Sequence, residues 1–325
     1  MSRHFRIEDI LGTLKDVDVD RVLRALGGRM RAYPTPHYLE IHREYVSELD
    51  QKENFCGAFA AAYILRGLGY RLHKSEIVDQ DYVAYLARVN VDPRDLERLR
   101  ALKREIACLS KEEAEEVIRE NRSIWYRFDD LPTTLKPQEL GASPEGVIYA
   151  IQEISMFKFK AIPVKTFSKI EGDLLTREKM NSFLDLLRRA EEYDAQFILN
   201  LNTKHLLDSE RITRLSEKLL LGEEFQEIFR EEVGHYVGCG GLIEVDDRQL
   251  IIVRETYGKY GAHLQPAELV RRALLRRDGR EGGIIVITPA NFEEEVKRFL
   301  SERGLRIEIW DNGSPYIPFT SRQTS

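Results

Sequence analysis

The stretch Gln51-Lys52-Glu53-Asn54-Phe55-Cys56-Gly57-Ala58-Phe59-Ala60-Ala61-Ala62-Tyr63-Ile64-Leu65-Arg66-Gly67-Leu68-Gly69 decides how the chain is read. From Cys56 onward, alanines and large apolar residues fall on nearly every side of a helix. A helix apolar all round lies at the centre of a domain, because it has no face to offer water. Gly67 and Gly69 supply a glycine stop. Asn54 is a suitable N-cap, which places Cys56 in the first turn of a buried central helix.

That position gives Cys56 chemistry. Thiols attack as thiolates, and the first turn of a helix offers free N–H groups and a partial positive charge. Gly57 leaves room beside the sulfur for a substrate carbonyl, and Gln51, five residues upstream, offers a side-chain amide to an oxyanion. A free cysteine is otherwise a small buried hydrophobe, and only its neighbours argue for more.

Working outward, residues 1–50 read as a helical extension interrupted at Gly27-Gly28 and at Pro34 and Pro36. Residues 75–142 read as a helical insertion, with a break at Asp92-Pro93, a capping box at Ser110 and Glu113, and a proline-rich loop from 128. Ser143-Pro144 opens another helix. After it come strand-like runs at 159–164, 197–202, 235–245, 249–257 and 283–288, with helices expected at 177–193, 209–232, 266–277 and 291–303. The runs 235–245 and 249–257 form an antiparallel hairpin. The fold class is α+β: a helical part carrying Cys56, then a mostly antiparallel sheet with flanking helices. Residues 51–312 form the catalytic domain and 313–325 a loose tail.

His235 opens a strand after Gly234, where a ring reaches across a cleft toward a helix head. His37, His42, His205, His263, His4 and His73 carry no such pattern. The orienting acceptor for His235 falls on the next strand, where Glu255 is best placed. A three-residue turn at 246–248 puts Glu255 on the face of His235. A two-residue turn puts Arg254 and Thr256 there, and a bulge among Gly238, Gly240 and Gly241 alters either outcome.

Composition narrows the function. The 325 residues carry a formal charge of −6 and are 42% hydrophobic and 32% charged. An acidic balance argues against a nucleic-acid surface. The basic run Arg271, Arg272, Arg276 and Arg277 reads as a solvated helix face. No stretch approaches the roughly 18 apolar residues of a membrane span. The first residues lack the apolar run of a signal peptide, so a cytoplasmic location is expected. Cys56, Cys108 and Cys239 lack CxxC spacing, so no zinc knuckle, disulfide framework, metal or other cofactor is indicated.

With Gln51, Asn54-Phe55-Cys56-Gly57-Ala58-Phe59-Ala60-Ala61-Ala62 and the distant Gly234-His235-Tyr236-Val237, the chain resembles the papain-like cysteine peptidases. The branch it looks most like contains the leader-cleaving peptidases of bacteriocin exporters. The stretch 255–269 also looks like a motif in uncharacterised bacterial proteins of this type, with Glu255 in place of an Asp. The resemblance implies a papain-like fold and thiol chemistry. It implies Cys56 as nucleophile, His235 as base and Gln51 as oxyanion donor. The expected activity is hydrolysis or acyl transfer on a peptide, amide or thioester carbonyl. The alternative is a degenerate site on a binding or scaffold protein, with the charged segments 95–121 and 209–232 as faces for a protein partner.

Overall fold

The computed structural model describes residues 6–48, 50–120 and 128–319. Its centre is an eight-stranded antiparallel sheet. The strands are β1 (Met30–Pro34), β2 (Phe159–Lys165), β3 (Gln196–Asn202), β4 (Gly234–Val245), β5 (Arg248–Arg254), β6 (Ala262–Pro266), β7 (Gly283–Pro289) and β8 (Arg306–Ile307). Their order is β6-β5-β4-β3-β7-β2-β8. The twelve-residue β4 is long enough to take two partners along one edge. Its first half pairs with β3, from Asn202 opposite Gly234 to Phe197 opposite Cys239. Its second half pairs with β1, from Pro34 opposite Gly241 to Met30 opposite Val245.

Before β2 come α1 (Ile7–Leu11), α2 (Val19–Leu26), α3 (Tyr38–Glu48), α4 (Cys56–Gly67), α5 (Gln80–Ala87), α6 (Pro93–Ile106), α7 (Lys111–Glu120) and α8 (Pro144–Ile154). Later come α9 (Arg177–Arg188), α10 (Leu215–Leu221), α11 (Ala267–Leu274) and α12 (Glu293–Glu302). Both sheet faces are covered. Alternate residues of each inner strand go to opposite sides. Ile198, Tyr236, Ile285 and Ile287 join α4, α5 and α8 in one core, whereas Phe197, Leu199, Val237 and Val286 join α9, α11 and α12 in another.

The all-round apolar helix is where its sequence puts it: every residue of α4 from Gly57 to Leu65 is buried. A side chain such as Phe59 or Leu65 contributes about 1.5–3 kcal/mol when removed from water in this way. Gly238 lets α4 lie close to β4, since a Cβ there would come 1.7 Å from the Tyr63 hydroxyl.

Several local signals hold in detail. Ser143 caps α8 through the Gly146 N–H at 3.0 Å, with Pro144 first in the helix. Ser110 and Glu113 exchange backbone-to-side-chain bonds in a capping box. Other expectations change. Met30–Pro34 is a strand of the main sheet, so residues 1–50 are not simply helical. Only Leu215–Leu221 is helical within 209–232, because Gly222 ends that helix in the left-handed region (φ 68°). The helix expected over 209–232 is therefore reduced to those seven residues. Within 75–142, α5 is part of the central core rather than an added layer, and Val83, Ala84 and Ala87 are fully buried. Residues 121–127 of that segment lie outside the described residues.

The start of the tail is also tied down. The carbonyls of Pro315 and Ile317 accept from Asn90 and Arg88, and the Phe319 ring lies under the Arg88 guanidinium. Residues 320–325 lie outside the described residues. No helix among the described residues is long and apolar enough to cross a membrane.

Candidate active site

Cys56 is the first residue of α4. Asn54 is not its cap. It turns the chain in the left-handed region (φ 66°), a conformation its short polar side chain tolerates, and Phe55 takes the cap position without a side-chain bond. The N–H groups of a first helical turn have no acceptor inside the helix, and Cys56 sits in that turn. Gly57 has a different role from the one its sequence suggests. A Cβ there would lie 3.0 Å from Val147, 3.2 Å from Tyr236 and 3.3 Å from Ala142, so the glycine admits close packing rather than substrate.

The β4–β5 hairpin decides which residues meet His235. Val245 pairs with Arg248 across a two-residue turn, Asp246-Asp247, with Asp246 at φ 53°. That turn alone would put Arg254 and Thr256 on the face of His235. Gly240 is an extra residue in β4: Cys239 pairs with Val253, and Gly241 with Ile252. One inserted residue moves every later position to the other face. The bulge therefore returns Glu255 and Tyr257 to the side of His235.

His235 is 2% exposed and Glu255 0%. Nε2 of His235 meets Oε1 of Glu255 and lies 2.9 Å from the Thr256 hydroxyl. The carboxylate also accepts the Thr256 N–H at 2.9 Å, and its other oxygen pairs with the Arg230 guanidinium. The Tyr257 ring stacks on the imidazole, with centroids 5.4 Å apart and planes 9° apart. Burial pushes the His235 imidazolium down, but the Glu255 charge, the bond to its carboxylate and the nearby Cys56 sulfur outweigh it and hold the group at about 9. With Nε2 committed to Glu255 and Thr256, Nδ1 is left for the thiol. Burial pushes the Glu255 carboxyl up, yet the His235 and Arg230 charges prevail and keep it well below the usual carboxylate range.

These shifts predict a pH effect on stability. A histidine bound more tightly to its proton in the folded state stabilises the protein fully below its unfolded pKa of 6.5, and that contribution is lost as pH rises through about 9. Wild type should lose denaturant resistance between pH 6.5 and 9 relative to His235→Gln. Parallel curves for the two proteins would refute it.

Gln51 joins the network through Thr256. The Thr256 hydroxyl donates to Gln51 Oε1, and the Gln51 N–H donates to the Thr256 carbonyl at 2.9 Å. The Gln51 oxygen is thus occupied and its amide nitrogen is left to donate. Cys56, His235, Glu255 and Gln51 are therefore brought together. Thr256, Arg230 and Tyr257 complete the site and were not singled out from sequence as its members. Only the open turn length pointed to Thr256, and nothing local marks Arg230, which arrives from the irregular segment before β4.

His263 and His42 serve packing. His263 is buried on β6, its Nδ1 3.1 Å from the Gly261 carbonyl, and burial lowers its pKa to about 4. His42 is likewise pushed down to about 4, chiefly by burial. Of the other cysteines, Cys108 is exposed, and Cys239 is buried with its thiol pushed up to about 12 by desolvation. Among the described residues no group of three His, Cys, Asp or Glu is placed to hold a metal ion.

Beside His235 lies a cleft of about 260 Å³. Its walls include Arg230, Tyr257, Tyr260, Lys259 and Asp208. The Arg230 guanidinium lies over the Tyr260 ring, 3.8 Å from its centroid. The cleft reaches His235 and Tyr257, and Cys56 is not among its walls.

No curated protein matches the chain. The match to a family of unknown function spans residues 35–311, a stretch that runs from the end of β1 past β8 and includes Gln51, Cys56, His235 and Glu255. The chain belongs to that family, DUF6885.

Proposed function

We propose that the protein is a cysteine-dependent hydrolase or acyltransferase of papain-like type. The observation that carries this reading is the His235–Glu255 pair held beside Cys56 at the head of α4. A thiolate beside an imidazolium is the attacking form of a cysteine nucleophile. Cys56 Sγ attacks an acyl carbon, and the carbonyl oxygen becomes an oxyanion. The Cys56 N–H and the Gln51 amide donate to it. His235 gives its proton to the departing amine or thiolate, and water or another amine then releases the acyl group from sulfur. Glu255 orients the imidazole and balances its charge, while Thr256 ties Gln51 to the same unit.

The test is capture of the acyl-enzyme. With p-nitrophenyl acetate, Cys56 should become acetylated as p-nitrophenolate is released. Cys56→Ser should abolish the modification, and His235→Ala should slow it by about 10²–10⁴-fold. Acetylation spread evenly over Cys56 and Cys108, or unaffected by His235→Ala, would contradict the reading.

A further inference from the structure

Gln51 lies in a segment that is held from below. The side chain of Gln80, at the start of α5, clamps both neighbours of Gln51. Its Oε1 accepts the Lys52 N–H at 2.8 Å, and its Nε2 donates to the Asp50 carbonyl at 3.0 Å. The Gln80 N–H in turn donates to Glu48 Oε1 at 3.0 Å, and Glu48 is paired with Arg66 of α4 at 2.9 Å. Beneath this clamp the Lys52 ammonium pairs with Asp81 of α5. Their side chains are only 5% and 4% exposed. The Lys52 ammonium also lies 5.9 Å from the ring of Phe55, the cap residue of α4, and the Phe55 N–H donates to the Lys52 carbonyl at 3.0 Å.

A pair buried this deeply gains little net stability, because desolvation cancels much of the attraction. Both partners show that cost. Burial raises the Asp81 carboxyl to about 7 and lowers the Lys52 ammonium. What the pair supplies is location, since it fixes one end of the segment while Thr256 fixes the other.

We propose that Lys52 and Asp81, with Gln80, are positioning residues that aim the Gln51 amide at the oxyanion formed on attack by Cys56. This rests on the thiol reading above and adds three residues to it. None of the three touches the reacting atoms; each acts through Gln51.

Two reactions at the same sulfur separate this role from a structural one. Acetylation by p-nitrophenyl acetate passes through a tetrahedral oxyanion, whereas alkylation by iodoacetamide displaces iodide with no oxyanion. Loss of one oxyanion donor costs about 10²–10³-fold. Asp81→Asn should therefore lower Cys56 acetylation by about tenfold or more, toward the level of Gln51→Ala, and leave alkylation within about twofold. Lys52→Met/Asp81→Leu removes both charges without stranding either one. It keeps the test open if Asp81→Asn fails to fold, and it should show the same selective loss. A folded variant with an unchanged ratio of acetylation to alkylation would overturn the proposal. Should wild-type Cys56 react no faster than Cys108 with either reagent, the thiol reading itself fails. Amide exchange at residues 51–55 then decides the positioning: faster exchange in the variants supports it, and unchanged exchange overturns it.

Discussion

Glu255→Ala is expected to destabilise the protein by about 3–5 kcal/mol, the usual cost of removing one partner from a buried charge cluster. The Glu255 carboxylate is fully buried between two cations, Arg230 and His235. Removing it strands a guanidinium that is 5% exposed on its side chain and withdraws the charge that keeps His235 protonated. Urea unfolding at pH 7 measures the first effect. The second is read from Cys56 acetylation, which should fall by at least about tenfold as the imidazole loses its orientation. Glu255→Gln keeps the shape and can still accept from His235, so it should retain more stability than the alanine variant while losing the charge-dependent part of the rate. A loss below about 1 kcal/mol for Glu255→Ala would mean that the cluster is not the buried ionic unit described above.

Gly241→Val is expected to be as damaging, for a steric reason. Gly241 has φ 129°, which strains any residue with a Cβ, and a Cβ there would lie 2.2 Å from the Tyr33 carbonyl oxygen and 2.8 Å from the Pro34 Cα. Both obstacles are backbone of β1, so β1 would have to leave β4. The bulge at Gly240 would be disturbed with it, and that bulge sets the face on which Glu255 lies. The expected loss is about 3 kcal/mol or more, combining backbone strain with steric overlap. Gly279→Ala is the control: it also has positive φ (80°), but a Cβ there meets nothing within 4 Å. It should cost about 1 kcal/mol. Equal unfolding midpoints for Gly241→Val and Gly279→Ala would refute this account of the bulge.

The contrast between these positions shows what the sequence could convey. The run from Cys56 to Leu65 announces a central helix because its apolar residues leave no exposed face, and that signal is local. The strands at 197–202, 235–245 and 283–288 are legible for the same reason. Met30–Pro34 is not legible, since its five residues become a strand only because β4 is long enough to offer them an edge. The pairing of His235 with Glu255 is intermediate. Turn length and a bulge together fix it, and neither is encoded by residue type alone. Gly240-Gly241 permits the bulge without requiring it. Arg230 was hidden because its segment looks like a charged helix, and only the buried Glu255 draws it inward. Gly57 shows the opposite error: a small residue beside a reactive sulfur suggests open space, yet Tyr236, Val147 and Ala142 fill it.

The central claim is that Cys56 is set apart from the other cysteines by His235. The most direct measurement is competitive alkylation of the three thiols by iodoacetamide at pH 6, followed by peptide mass spectrometry. The account predicts that Cys56 labels at least about tenfold faster than the exposed Cys108, that Cys239 does not label in the folded protein, and that His235→Ala brings Cys56 down to the rate of Cys108 or below. Equal rates for Cys56 and Cys108 in the wild-type protein would contradict it.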